Sequence, residues 1–303
     1  MININDRSYQ TLSEALSAVE GIDPVVIDLN GTILGQQIID RPNVIIRNGT
    51  FVNDFGAYQI MADGNKRGTF RSYTLYVAAD NVTLENVRVI NEAGYHNGQA
   101  IALMIDGDNF RAEKCEFSSY QDTLFLAPLP ETEYEKGGFR GPLENKPRIM
   151  RRAIFENCLI EGSVDFIFGG GQGYFHGCEI RSRNIQSPVN GYVCAPSTPQ
   201  GERYGFIFDQ CRFTSEPGMR ESVYLARPWR DHGKCLIVNS VIGDHIRKEG
   251  YSDWDKPWAQ KTSEFKEFNN VSRRKPERVG WLKSVSTEDL EQVRNLKENN
   301  VLM

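Results

Sequence analysis

A short unit, polar then apolar, recurs along this chain at irregular intervals and restricts the fold more than any other feature. The copies are Leu84-Glu85-Asn86-Val87-Arg88-Val89, Ala112-Glu113-Lys114-Cys115-Glu116-Phe117, Phe155-Glu156-Asn157-Cys158-Leu159-Ile160, Phe175-His176-Gly177-Cys178-Glu179-Ile180 and Phe208-Asp209-Gln210-Cys211-Arg212-Phe213. Asn239-Ser240-Val241-Ile242 is a further copy, and Asn48-Gly49-Thr50-Phe51 a weaker, earlier one. Each carries a polar turn residue, often Asn, then a small apolar or thiol residue, then a hydrophobe two positions on. The intervals between Val87, Cys115, Cys158, Cys178, Cys211 and Ser240 are 28, 43, 20, 33 and 29 residues. A constant local pattern at variable spacing is what a solenoid produces when its turns carry loops of different length. The alternation predicts strands, and their interruption by Gly, Asn and Pro rather than by amphipathic helices argues against βαβ units. The expected fold is all-β: a single-stranded right-handed parallel β-helix, with residues 1–303 forming one domain.

Stacked coils put equivalent residues above one another, so Cys115, Cys158, Cys178 and Cys211 are expected to form an interior ladder of small hydrophobes. The six cysteines include no CxxC pair and no metal-ligand spacing, and no metal or cofactor is expected. The ends are read as caps. Thr11 through Val19 has capping chemistry and helical spacing, suited to closing one open end, and residues 286–298 read as an N-capped helix at the other.

A net charge of −5 supplies no overall basic field for nucleic acid or an anionic membrane, so neither is an expected partner. The opening Met1-Ile2-Asn3-Ile4-Asn5-Asp6-Arg7 lacks the basic and apolar regions of a signal peptide. The expected location is therefore the cytoplasm, or outside the cell if a leader has been removed. No apolar run approaches the roughly 18 residues of a membrane span. The chain is read as a monomer.

Two aspartates stand among apolar residues rather than in charge runs: Asp122 in Gln121-Asp122-Thr123-Leu124-Phe125, and Asp165 in Val164-Asp165-Phe166-Ile167-Phe168. A charge at Asp165 needs a partner in such surroundings, and Arg227, stiffened by Pro228-Trp229, is the candidate. That pairing would keep Asp165 ionised while a less compensated Asp122 stays protonated, giving one attacking anion and one proton donor. A purely structural ion pair fits the same residues. Gln99 lies 22 residues before Gln121, about one coil, so both carboxamides can face one developing oxyanion. Either glutamine alone equally suits a polar position that bonds the backbone.

Gln-Ala-x-Ala-Leu, Gln-Asp-Thr-Leu, Val-Asp-Phe-Ile-Phe-Gly and Arg-Pro-Trp occur in an order that resembles the pectin methylesterases (pectinesterases), which are right-handed parallel β-helices. Arg41-Pro42-Asn43-Val44, Thr69-Phe70-Arg71-Ser72, Asn91-Glu92-Ala93-Gly94, Ile242-Gly243-Asp244-His245-Ile246 and Arg278-Val279-Gly280-Trp281 extend the similarity over nearly the whole chain. The resemblance implies hydrolysis of galacturonate C6 methyl esters in pectin or methylated oligogalacturonides through an aspartyl acyl-enzyme. Asp165 would be the nucleophile and Asp122 the acid and then the base. Gln99 and Gln121 would stabilise the tetrahedral intermediates, and Arg227 would hold the nucleophile. It also implies sugar contacts from Thr69, Gln99, Arg227 and Trp229, and Phe125 is counted with them.

Three departures stand out. Ala226 replaces the usual Gly before Arg-Pro-Trp, and Gly170 stands where Asn is common, removing a hydrogen-bonding side chain beside the nucleophile strand. The 43 residues between Asp122 and Asp165 are far more than usual. The extra segment, 127–148, holds four prolines and three glycines, which predicts a stiffened loop rather than a strand. It is expected beside the catalytic face, either walling one end of the groove against long chains or as a plain surface excursion. The rival readings lack their signatures. There is no calcium-binding acidic cluster of a lyase, no Gly-x-Ser-x-Gly of a serine esterase and no HExxH of a zinc hydrolase. A non-catalytic sugar-binding β-helix, or a relative turned to another acyl ester, remains as the alternative.

Overall fold

A computed structural model describes residues 2–4, 7–9, 11–19, 21 and 23–299. Met1, Asn5 and Asp6 of the stretch read for a leader lie outside these residues, as does the end of the chain from residue 300. Val44–Asn53 and Val82–Asn91 are long strands that turn a corner. One part of Val82–Asn91 pairs in parallel with Phe110–Glu113, and the next with Glu116–Ser118. Later coils break that corner into a turn, so Arg152–Glu156 is followed by Leu159–Gly162, and Gln172–His176 by Glu179–Ser182. Together these strands make an 18-stranded sheet that wraps two faces of the coil. A 7-stranded sheet forms the third face, in the order Gln37–Ile39, Leu75–Val77, Leu103–Ile105, Leu124–Leu126, Val164–Gly169, Gly191–Pro196, Val223–Ala226. Its pairings are parallel from coil to coil. The architecture is the expected parallel β-helix.

The recurring unit is the corner between the first two faces. Asn48, Asn86, Lys114, Asn157, Gln210, Asn239 and Asn269 all sit there with φ between 50° and 55°, and Gly177 at 62°. Asn enters the left-handed region at less cost than other non-glycine residues, which is why it marks so many copies. Its side chain also ties the coils together: Asn86 donates to Asn48 at 2.8 Å, and Asn269 to Asn239 at 2.8 Å.

One residue on, the thiols form the expected interior ladder. The Cys115 amide donates to the Cys158 sulfur at 3.4 Å, and the Cys211 amide to the Ser240 hydroxyl at 3.0 Å. All six cysteines are unbridged and buried. Burial pushes the Cys158 and Cys178 thiols well above the ordinary range, so they are poor nucleophiles and behave as core. Beside them Phe155, Phe175 and Phe208 stack face to face with centroids 4.7 Å apart at each step.

The two terminal helices do different jobs. Leu12–Ser17 opens with a capping box in which the Glu14 amide donates to the Thr11 hydroxyl at 3.1 Å, and it buries Leu12, Ala15 and Leu16 against the core. The helix Thr287–Asn299 is capped through Ser286, whose hydroxyl accepts from the Asp289 amide at 3.1 Å. It does not close the far end, contrary to the expectation. Instead Val293 and Leu296 lie on the flank, against the outward-facing Ile154, Tyr174, Ile207, Leu236 and Val238 of four successive coils. Those outward positions are apolar and need a cover that the coil itself cannot supply. At the end of the solenoid Tyr251, Phe265 and Trp281 pack together instead.

Phe175→Ala, which empties the middle of the ring stack, should lower unfolding free energy by about 3–5 kcal/mol. Urea denaturation checks this. A loss below about 1 kcal/mol, the range of an ordinary surface change, would mean the stack is not part of the coil-to-coil core.

Candidate active site

From Leu75–Val77 through Val164–Gly169 the third sheet is covered on both sides, which is why these strands read as apolar runs. Leu103, Ile105, Leu124, Leu126 and Ile167 face the interior of the coil. On the outer side Tyr76, Met104, Phe125, Phe168 and Ala195 are covered by Phe70, Tyr73, Leu129, Phe139 and Leu143. Charged groups along this sheet are therefore held in low-dielectric surroundings.

Asp165 lies where the pairing of Val164–Gly169 with Gly191–Pro196 shifts register between Val164 and Ile167. It adopts φ 50°, and Asp122, just ahead of Leu124–Leu126, adopts φ 63°. Both aspartates occupy the sparsely populated left-handed region, a placement common where side chains are held for function. The coils bring them together: the Asp122 amide donates to the Val164 carbonyl at 3.1 Å, and Gln121 bridges Val164 in parallel.

Arg227 follows Val223–Ala226, two coils beyond Asp165. Its Nε donates to Asp165 Oδ1 at 2.8 Å and its Nη2 to Oδ2 at 2.6 Å, a bidentate fork. The guanidinium is itself sandwiched, 3.7 Å from the Tyr192 ring centroid and 3.5 Å from that of Trp254. Two aromatic faces fix the fork's plane and shield it from water. Asp122 is in a different state. Burial, and then the negative charge of Asp165, push its carboxyl well above the usual range, against a smaller opposing pull from Arg227. Asp122 thus holds its proton to higher pH than a solvated carboxyl does, beside an Asp165 gripped by arginine.

Asp122, Asp165, Arg227, Gln99, Gln121, Thr69 and Trp229 all line one cleft of about 350 Å³. Thr69 opens a 3-10 turn held by the Ser72 hydroxyl, which donates to the Thr69 carbonyl at 2.6 Å. Phe125 departs from expectation. It is fully buried beneath the cleft, its ring 5.0 Å from both Phe70 and Phe168, so it supports the floor and does not reach a ligand. Phe168 lines the cleft in its place. Strict alternation does not give this, since Phe166 and Ile167 both join the interior core beside the register slip and Phe168 alone turns outward. Tyr192, Trp254 and Arg230 were also missed. The Ala226–Tyr251 bridge sets Trp254 one coil on from Trp229, a register that the sequence pattern does not mark.

The segment 127–148 contains no strand or helix, and its Tyr134, Glu135, Gly138 and Phe139 line the cleft. Its path explains one departure. Pro128 passes so close to Gly170 that a β-carbon there would lie 2.7 Å from the Pro128 carbonyl oxygen, so an Asn has no room. The Gly170 amide instead donates to that carbonyl at 3.1 Å. Among the described residues no group of three or more His, Cys, Asp or Glu is placed to hold a metal ion.

The pectinesterase family model matches residues 6–129 and 148–302, stopping and resuming at the edges of that segment. A probable pectinesterase/pectinesterase inhibitor of Arabidopsis thaliana is 26% identical over 93% of this chain and 41% of its own length. The chain thus spans about half, or less, of the curated relatives it matches. Among solved structures, a pectin methylesterase from Yersinia enterocolitica aligns with TM-score 0.78 at 26% identity, over 97% of this chain and 100% of its own. One from carrot aligns with TM-score 0.76 at 23% identity, over 98% and 93%, a likeness of fold. These relatives overturn the expected cytoplasmic location, because they are plant and bacterial pectinesterases, named for a polymer of extracellular cell walls. With the model matching nearly the whole chain outside one excursion, and the coil architecture shared, this chain belongs to the pectinesterase family.

Proposed function

We propose that the cleft hydrolyses the C6 methyl ester of galacturonate units in pectin or methylated oligogalacturonides and releases methanol. The observation that carries this reading is the charge asymmetry of the two aspartates. One is held by a bidentate arginine, burial favours the protonated form of the other, and both line the same cleft.

Asp165 attacks the ester carbonyl carbon, and the oxyanion that forms receives hydrogen bonds from the Gln99 and Gln121 carboxamides. Asp122 gives its proton to the methoxide oxygen as the C–O bond breaks, leaving methanol and a mixed anhydride on Asp165. The electrostatics assist this order. The Asp165 charge helps hold the proton on Asp122, and acylation removes that charge as the proton must leave. The Asp122 carboxylate then takes a proton from water, which attacks the anhydride and returns Asp165 to its arginine. Thr69 and Trp229 bind sugar at the cleft wall, where Phe168 adds an aromatic face.

Methanol release from methylated oligogalacturonides tests the roles directly. Asp165→Ala should abolish it, and Gln121→Ala should lower kcat by roughly 10²–10³-fold. Equal release from wild type and Asp165→Ala removes Asp165 from the mechanism, and ultraviolet-absorbing unsaturated products would indicate a lyase instead.

The raised Asp122 carboxyl also predicts a stability signature. The folded state holds this proton to higher pH than the unfolded chain does, so stability is lost as pH rises from the ordinary carboxylate range through the raised value. Asp122→Asn removes that loss. Thermal melts should show the variant matching wild type near pH 4 and exceeding it increasingly toward neutral and alkaline pH. A constant difference across that range would mean Asp122 does not hold its proton.

A further inference from the structure

Residues 130–147, the stretch outside the family match, are pinned in place despite having no regular structure. Leu129, Phe139 and Leu143 are buried against the outer side of the third sheet. A polar latch fixes the other side of the excursion. Tyr134 Oη, Arg230 Nη1 and Lys256 Nζ all donate to the Trp229 carbonyl, at 3.2, 3.0 and 3.2 Å. Arg230 Nη2 donates to the Thr132 carbonyl at 2.8 Å, and its guanidinium lies 3.7 Å from the Tyr134 ring centroid.

The latch places Phe139 between two walls of the cleft. Its ring meets Phe70 edge-on at 6.0 Å and Trp229 edge-on at 6.3 Å, so the gap between those side chains is filled. A sugar chain lying on Trp229 could not continue past Phe70 without displacing Phe139. Phe139 and Trp229 both line the cleft of about 350 Å³, so the filled gap lies at the cleft itself.

We propose that this excursion closes one end of the cleft, so that the enzyme takes short oligogalacturonides and chain ends in preference to the interior of polymeric pectin. The inference rests on the esterase reading above. Phe139 is the specificity-determining residue, and Tyr134 and Arg230 are positioning residues that act through the docked segment.

The test compares kcat/KM for methanol release, per ester group, on a methylated galacturonate trimer and on polymeric pectin. Wild type should favour the trimer by about 10-fold or more, and Phe139→Ala should cut that ratio several-fold through a gain on polymer rather than a loss on trimer. Arg230→Gln loosens the latch while leaving Phe139 intact and should shift the ratio the same way, so a poorly folded Phe139→Ala leaves the question answerable. A wild type that prefers polymer, or a ratio unchanged in the variants, overturns the proposal. If wild type releases no methanol from either substrate, the esterase reading fails. The closed end is then judged by calorimetric binding of demethylated trimer and polymer to wild type and Phe139→Ala, where equal preference in both proteins overturns it.

Discussion

Parallel register between successive coils is the constraint on which everything else in this molecule depends. A residue in the third sheet is positioned by its neighbours one coil before and one coil after, so groups 40 or more residues apart are placed as firmly as adjacent ones, as the 43-residue gap between Asp122 and Asp165 illustrates. The corner residues with left-handed φ keep that register by turning each coil at the same point. The stacked sulfurs and phenyl rings then fill the interior, and the corner amides of Cys115 and Cys211 find acceptors in the next coil.

Against this stiff frame the cleft is a deliberate irregularity. Both aspartates adopt positive φ, and the strand that carries Asp165 slips in register beside it. Such local strain persists only where surrounding structure over-determines it, and a sheet buried on both faces does so. Burying two carboxylates near each other is unfavourable unless one is compensated and the other gives up its charge. The bidentate fork from Arg227, held between Tyr192 and Trp254, compensates Asp165, and burial favours the protonated form of Asp122. One arrangement therefore resolves a folding problem and creates two groups of opposite chemical character.

The parts of the fold legible in sequence were those repeated in every coil. Asn157-Cys158 and Gln210-Cys211 could be read as a turn and an inward position because the same pair recurs, and stacking made the thiol ladder follow. Asp165 and Arg227 were legible because a carboxylate in an apolar strand requires a partner. What lay hidden depended on the outer faces, which carry no repeat. Phe125 and Phe168 are paired aromatic residues on adjacent strands of one sheet and Phe70 touches both rings, so no local pattern separates floor from lining. The flank position of Thr287–Asn299 was set by apolar outward residues such as Ile207 and Leu236, scattered over four coils with no local pattern to join them. The first residues carry no usable signal of location, and the plant and bacterial relatives overturn the cytoplasmic expectation.

The close passage of Pro128 over Gly170 ties the root of the excursion to a position 42 residues away in sequence, just past the strand Val164–Gly169. Neither is independent of the other. An asparagine at that position would collide with the departing chain, and a glycine without the overlying proline would leave its amide short of an acceptor. The two positions are therefore sterically coupled, and anyone moving this excursion into a sister scaffold has to carry the glycine along with it.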